Sequence, residues 1–339
     1  MENPSINIKQ LAKALNLSTS TISRAFRNNS DINPDTKEKI LAKAKELNYH
    51  PNLYASSLRE KTTNTIAIVL PELANNFFSQ AVKGIEQVTR AHQYHTLVYV
   101  TDSSYEKEQS IVENLLNGRV DGMIISATGE GKKNAHITNI IKKKIPLVFF
   151  DRVYDEYALP KIINNDYQSS YQATKDLIER GAEKIAFLVI DKEHSIGRKR
   201  LEGYLDALKE FNISIDNQLI VECDNDREIS FYIIENLIKK MKPDAILTAV
   251  ERLAVVSYRV CHANKIRIPE EVKIIGFSSL EIADLLNPSL STITQPAFKM
   301  GQKAAQQLFG ILKSTHLEEN FAPIELKSEI IHRESTRKI

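Results

Sequence analysis

The chain has 339 residues, with 45 Lys and Arg against 43 Asp and Glu, a net charge of +2, and 42% hydrophobic residues. This length accommodates two or three domains, and the near-neutral total would argue against a nucleic-acid partner only if the charge were evenly spread. Residues 1–63 instead hold ten basic against six acidic residues, an excess of +4, and the remainder carries −2. Only Cys223 and Cys261 are present, which excludes a disulfide framework and a cysteine-based metal site. No run of about 18 apolar residues and no signal-peptide pattern occurs, so the reading is of a cytoplasmic protein with no membrane contact.

From Asn7 to Phe26 the apolar residues Ile8, Leu11, Ala12 and Leu15, then Ile22, Ala25 and Phe26, repeat at helical spacing on either side of a break. Asn7 followed by Gln10 has the form of a capping box. Asn16 suits the left-handed residue that ends a helix, and Ser18 suits the next N-cap. The pattern predicts helix, tight turn, helix. Thr19, Ser20, Thr21, Ser23 and Arg24 lie opposite Ile22 and Phe26, and such a face suits DNA: hydroxyls hold phosphates, and arginine forks onto guanine. A generic amphipathic hairpin fits the same residues. Asn33-Pro34-Asp35 starts a third helix, whose buried side is expected to be Ile40, Leu41, Ala44 and Leu47. Pro51 ends the head, and residues 52–59 form a short segment before a polar connector.

Beyond residue 64 the texture changes. Short β-branched or aromatic runs at 65–70, 96–100, 123–126, 146–150, 185–190, 245–248 and 272–277 alternate with helical patterns such as 78–92, 105–116, 170–180, 199–211 and 230–241. Buried strands separated by helices predict a doubly wound α/β architecture. The alternation restarts after Gly181, which predicts two similar lobes and a ligand cleft beyond the carboxyl ends of their strands. The tail after Arg333 is expected to fray.

The order of helix-turn-helix, Leu47-Asn48-Tyr49-His50-Pro51-Asn52, Ala55-x-x-Leu58 and a two-lobed region resembles the lactose/galactose-repressor family of bacterial regulators. Further landmarks are Val120-Asp121-Gly122, Asp151-Arg152, Arg200-Leu201-Glu202-Gly203-Tyr204, Ile268-Pro269-Glu270-Glu271-Val272 and Thr292-Ile293-Thr294-Gln295-Pro296. The resemblance implies a helix-turn-helix DNA-binding domain at 1–50, a hinge helix and linker at 51–63, and a periplasmic-binding-protein-like effector-binding and dimerisation domain at 64–339. Its lobes would be about 64–162 with 293–325, and 163–292. It further implies that Thr19, Ser20 and Arg24 approach base edges in the major groove, Thr21 and Ser23 meet phosphates, and Ala55, Leu58 and Arg59 belong to a minor-groove hinge. The effector positions it implies are Phe77, Phe78, Thr128, Asp151, Arg152, Arg200, Glu251 and Ser278.

The implied activity is that of a homodimeric repressor of a carbohydrate-utilisation operon, bound to a pseudo-palindromic operator and released by a small sugar-like effector. Corepression by a nucleobase or other metabolite, or activation, stays open at this level. Two departures stand out: Ser278 follows Ile275-Gly276-Phe277 where many relatives carry Asp, and Glu251 stands where Asp is commoner. Gly129-Glu130-Gly131-Lys132-Lys133 lacks the phosphate-loop spacing, and no catalytic, cofactor or metal motif is present, so neither enzyme activity nor a cofactor is expected. The sequence shows no leucine heptads that would suggest a tetramer.

Overall fold

The computed structural model describes residues 6–26, 32–49, 62–129, 134–192, 195–314 and 321–338. The chain divides into two compact units, 1–63 and 64–339. In the first, α1 (Ile8–Leu15), α2 (Thr19–Phe26) and α3 (Pro34–Glu46) surround Leu11, Ala12, Ile22, Ala25, Ile40 and Ala44. The helix ends follow the local chemistry. Asn7 and Gln10 exchange hydrogen bonds of 3.0 and 2.8 Å, Asn16 sits at φ 51°, and the Thr21 amide donates to Ser18 Oγ over 3.1 Å. Asn33 Oδ1 accepts from the Asp35 amide at 2.9 Å, with Pro34 at the first helical position. Leu41 corrects the expectation: it is 41% exposed, because it lies about 100° around the helix from Ile40. The ring of Tyr49 closes the core instead, 5.6 Å from that of Phe26.

The second unit contains two sheets. The first is ordered β11-β5-β4-β3-β1-β2, from β1 (Thr65–Leu70), β2 (His95–Val100), β3 (Gly122–Ile125), β4 (Leu147–Phe150), β5 (Lys161–Asn164) and β11 (Ile324–Leu326). Its helices are α4 (Asn76–Ala91), α5 (Tyr105–Leu115), α6 (Ala135–Lys142) and α11 (Ala297–Lys313). The second sheet is ordered β12-β10-β9-β8-β6-β7, from β6 (Ile185–Val189), β7 (Ile220–Glu222), β8 (Ala245–Thr248), β9 (Lys273–Phe277), β10 (Ser291–Thr294) and β12 (Glu329–Ile331). Its helices are α7 (Asp166–Glu179), α8 (Ser195–Glu210), α9 (Arg227–Met241) and α10 (Glu251–Ala263). The pairings are parallel except β10 with β12. Apolar clusters lie on both faces of each sheet, as parallel strands require.

The chain passes between lobes three times: after β5, after β10 and after β11. The first and third crossings are stitched together. The Asn165 amide donates to the Leu326 carbonyl at 3.1 Å, and Asn165 Oδ1 accepts from the Ser328 amide at 2.8 Å. The third crossing has no counterpart in the sequence expectation, and it returns the C-terminal segment to the second sheet. The tail is consequently not frayed. Ser335 and Thr336 are fully buried, with Ser335 Oγ donating to the Ile274 carbonyl at 2.6 Å and the Ser291 amide donating to Ser335 Oγ at 2.8 Å. In the first lobe α4 and α11 cross at near backbone contact. A Cβ at Gly301 would stand 2.0 Å from the Ala81 carbonyl oxygen, and one at Gly84 would stand 2.1 Å from that of Phe298.

Candidate functional site

In each sheet the strand order reverses beside the first strand of the lobe, between β1 and β3 and between β6 and β8, which opens a crevice at the carboxyl ends. The two crevices face one another across a cavity of about 170 Å³. All eight implied effector residues line it: Phe77, Phe78, Thr128, Asp151 and Arg152 from the first lobe, and Arg200, Glu251 and Ser278 from the second.

Asn75 caps α4 by accepting from the Phe77 amide at 2.9 Å, which fixes Phe77 and Phe78 at the cavity edge. Their rings pack edge to face, 5.1 Å apart, and both belong to the core. They therefore serve packing and lining together. Asp151 sits at φ 60° just after β4. The Ala127 amide donates to the Arg152 carbonyl at 3.0 Å, tying this turn to the loop after β3. Burial pulls the Arg152 guanidinium below its ordinary pKa, an effect opposed by Asp151 and Glu72 and reinforced by Arg200 and Arg252.

Arg200 is only 3% exposed. Its Nε donates to Asp166 Oδ1 at 2.7 Å, its second terminal nitrogen lies 2.6 Å from the same oxygen, and its remaining nitrogen donates to the Ala249 carbonyl. The guanidinium lies over the Phe277 ring, 3.6 Å from the centroid. Arg200 thus pairs inward with Asp166 and not along its own helix. Asp166 was missed because an acid in the first turn of a helix is ordinary N-terminal chemistry.

Glu251 opens α10 and reaches across the cavity floor. Its Oε2 accepts from Ser278 Oγ and the Ser279 amide, each at 2.9 Å, and its Oε1 accepts from Asn76 Nδ2 of the opposite lobe at 2.8 Å. The longer side chain thus brings a carboxylate to the strand end where Ser278 supplies none. Glu72 pairs with Arg252 at 2.6 Å, and Gln80 Nε2 donates to the Ser279 carbonyl at 3.4 Å. Glu72, Asn76 and Gln80 are spaced by four residues and form a polar seam from one lobe to the other. Ser279 Oγ and Gln295 Nε2 also line the cavity, buried and without a hydrogen-bond partner. Gln295 had a sequence signal, the Thr-Gln-Pro landmark between a strand and a helix. Arg252 and Glu72 had none, because lone surface charges look alike in sequence.

In the first unit, Thr19, Ser20 and Arg24 are exposed, and Thr21 and Ser23 are half-buried on the same helix. Ser18 Oγ lies 2.7 Å from Ser20 Oγ and 2.8 Å from Thr21 Oγ1, so the hydroxyls cluster at the start of α2. Ala55, Leu58 and Arg59 fall outside the described residues. Among the described residues, no group of three His, Cys, Asp or Glu is placed to hold a metal. Burial pushes the Cys223 and Cys261 thiols up to about 12.

Residues 7–52 match the family described as bacterial regulatory proteins, lacI family, and residues 63–331 match periplasmic binding proteins and sugar binding domain of LacI family. The chain is 31% identical over 329 residues to the ribose operon repressor of Haemophilus influenzae, covering 97% of this chain and 98% of that one. It is 30% identical to the probable HTH-type transcriptional repressor ExuR of Bacillus subtilis, covering 98% and 99%. Among solved structures, the Lac repressor dimer bound to operator and the anti-inducer ONPF shares the fold with a TM-score of 0.84 at 23% identity, covering 98% of this chain and 99% of that one. A LacI family regulator from Enterococcus faecium with bound ribose gives 0.73 at 24%, covering 81% and 99%.

The Arg200 pair yields a direct expectation. Arg200→Met leaves the Asp166 carboxylate buried without its partner and is expected to cost about 3–5 kcal/mol in urea unfolding. An unchanged midpoint would show that the pair contributes nothing to the fold.

Proposed function

Because the chain belongs to the LacI family of bacterial regulatory proteins, we propose that it represses a carbohydrate-utilisation operon and leaves its operator when a small sugar fills the cleft. The observation that carries this reading is the cavity itself, where carboxylates and guanidinia from both lobes meet beside the Phe77 and Phe78 rings. Carboxylate and guanidinium each hold neighbouring hydroxyls through paired hydrogen bonds, and an aromatic face suits the apolar side of a sugar ring. The volume of about 170 Å³ lies below the roughly 300–1,000 Å³ of drug-sized pockets, which favours a single ring over an oligosaccharide.

The protein binds operator DNA through its helix-turn-helix head. In the proposed assignment, Thr19, Ser20 and Arg24 meet base edges and Thr21 and Ser23 meet phosphates. Ala55, Leu58 and Arg59, in the segment 51–63, complete the interface in the minor groove. One head offers few base contacts, so a homodimer reads two half-sites of a pseudo-palindrome about one helical turn apart. Support for a second copy comes from the exposed apolar side chains Leu97 and Val98 on edge strand β2, and from Ile282 and Leu285, the latter 76% exposed. The cytoplasm, on the nucleoid when bound, is the corresponding location. Among the described residues no helix is long and apolar enough to cross a membrane.

Closure of the lobes on the sugar is the proposed signal. The seam of Glu72, Asn76 and Gln80 supplies contacts that exist only while the lobes are together, so a ligand bridging the same gap shifts the population toward closure. The ligand is identified by a thermal-shift screen against neutral monosaccharides, in which a ligand at 100 times its dissociation constant adds about 2.7 kcal/mol of stability. A screen in which only nucleobases shift the transition would overturn the sugar assignment. For DNA, Arg24→Ala is expected to lose about 1–3 kcal/mol of discrimination at one base pair per half-site. Uniform weakening across all sequences would make Arg24 a phosphate contact.

A further inference from the structure

The landmark Val120-Asp121-Gly122 takes no part in the cleft. Asp121 stands just before β3 and binds the chain where residues 51–63 join the first lobe. Its Oδ2 accepts from the Asn64 amide at 2.9 Å, and its own amide donates to the Thr65 carbonyl at 2.9 Å. The Asn64 carbonyl accepts from the His95 amide at 2.8 Å. Asn64 is at φ 48°, in the left-handed region that asparagine tolerates, so the chain turns sharply just before β1. Because β1 lies between β2 and β3, this turn is held from both neighbouring strands.

The same carboxylate is tied to the helices that reach the cleft. The Tyr94 phenol hydrogen-bonds Asp121, and burial together with that neighbouring charge raises the phenol above its ordinary pKa. Tyr94 comes directly after α4, where Gln93 at φ 61° turns the chain and the Tyr94 amide donates to the Thr89 carbonyl at 3.0 Å. Its ring packs edge-on to Phe309 of α11 at 5.0 Å, and the His92 ring stacks on Phe309 at 4.1 Å. A Cβ at Gly122 would stand 3.1 Å from Leu308 Cδ1, so α11 also packs directly on the start of β3. At the opposite ends, α4 opens with Phe77 and Phe78 and α11 follows Gln295, all three in the cavity wall. With 16 residues α4 spans about 24 Å, and the close approach at Gly84 and Gly301 leaves the two helices no room to slide separately. One pair of helices therefore runs from the cleft to the place where the linker attaches.

We infer that Asp121 is a positioning residue for operator release: it fixes where and in which direction the linker leaves the first lobe, and ties that exit through Tyr94 to the paired helices that begin at the cleft. A displacement of those helices on lobe closure is then delivered to the linker and not absorbed by slack chain, as coupling through packed side chains and rigid elements requires. The effect on release rests on the ligand-gated repressor reading; the clamp on Asn64 does not.

Asp121→Ala removes the acceptor, whereas Asp121→Asn keeps a carbonyl oxygen available to Asn64. In the ligand-free full-length protein, amide hydrogen exchange at Asn64 is expected to accelerate about tenfold in Asp121→Ala and to stay near wild type in Asp121→Asn. Unaltered exchange in Asp121→Ala would refute the clamp. Coupling is then read with a DNA duplex that the wild type selects from a randomised palindromic pool, with D-ribose and D-glucose as effectors. Asp121→Ala is expected to reduce, at least about fivefold, the factor by which the effective sugar weakens duplex binding, while sugar affinity of the DNA-free protein stays within about twofold of wild type. Tyr94→Phe, which keeps the ring on Phe309, should reduce the factor in the same direction, and Asp121→Asn should retain it. A merely structural role would weaken sugar and duplex binding without changing the factor that links them. Wild-type coupling in Asp121→Ala would overturn the inference, and if that variant does not fold, wild-type coupling in Tyr94→Phe does so. If neither sugar moves the wild-type duplex affinity, the sugar reading fails by itself. Duplex affinity then decides: a loss of about fivefold in Asp121→Ala that Asp121→Asn restores supports the positioning role, and unchanged affinity refutes it.

Discussion

Arg200 is held where four elements of the second lobe meet: it projects from α8, bonds Asp166 at the start of α7 and the carbonyl just after β8, and lies against a ring from β9. Taking a guanidinium out of water costs several kcal/mol, and only a set of partners this complete offsets it. The spacing of those four elements is therefore fixed together. Gly203 belongs to the same arrangement, since a Cβ there would stand 2.2 Å from the Tyr167 carbonyl oxygen and would hold α7 and α8 apart. The floor of the cleft is rigid for a reason that has nothing to do with what occupies the cleft.

The first lobe is organised by a buried carboxyl group. Glu108 gathers α5, α6 and the loops after β3 and β4, as Arg200 gathers its own neighbours. One lobe thus carries a buried cation and the other a buried acid, each placed just behind the cavity wall. Between them the seam from Glu72 to Gln80, the Arg198–Asp155 pair and the three chain crossings join the lobes. Two rigid walls joined by narrow crossings are suited to move as bodies, which is the property a ligand-gated regulator requires.

Much of this was legible in sequence because local chemistry decided it. The Asn7 box, the Asn16 stop and Pro34 each satisfy or remove a specific backbone group, and the β-branched runs are buried except on the edge strand β2. The cavity positions were legible only through resemblance: nothing in the spacing of Thr128 or Glu251 marks a wall. What escaped were the pairings across elements. Asp166 and Arg200 are 34 residues apart, and no periodicity links them. The C-terminal segment was misread for a related reason. Ser335 and Thr336 are buried through hydrogen bonds, and small polar residues leave no hydrophobic pattern to read. Leu41 erred in the other direction, since it lies about 100° around the helix from Ile40 and falls outside the buried stripe of Ile40 and Ala44.

The central claim is that the cleft and the operator contacts are linked through lobe closure. Linkage is reciprocal, so it is tested most directly by measuring the affinity of the cleft sugar by calorimetry on the free protein and on the operator complex. The account predicts that operator weakens sugar binding by the same factor by which sugar weakens operator binding, a factor of about 5–150 for typical couplings. Equal sugar affinity with and without operator would contradict it.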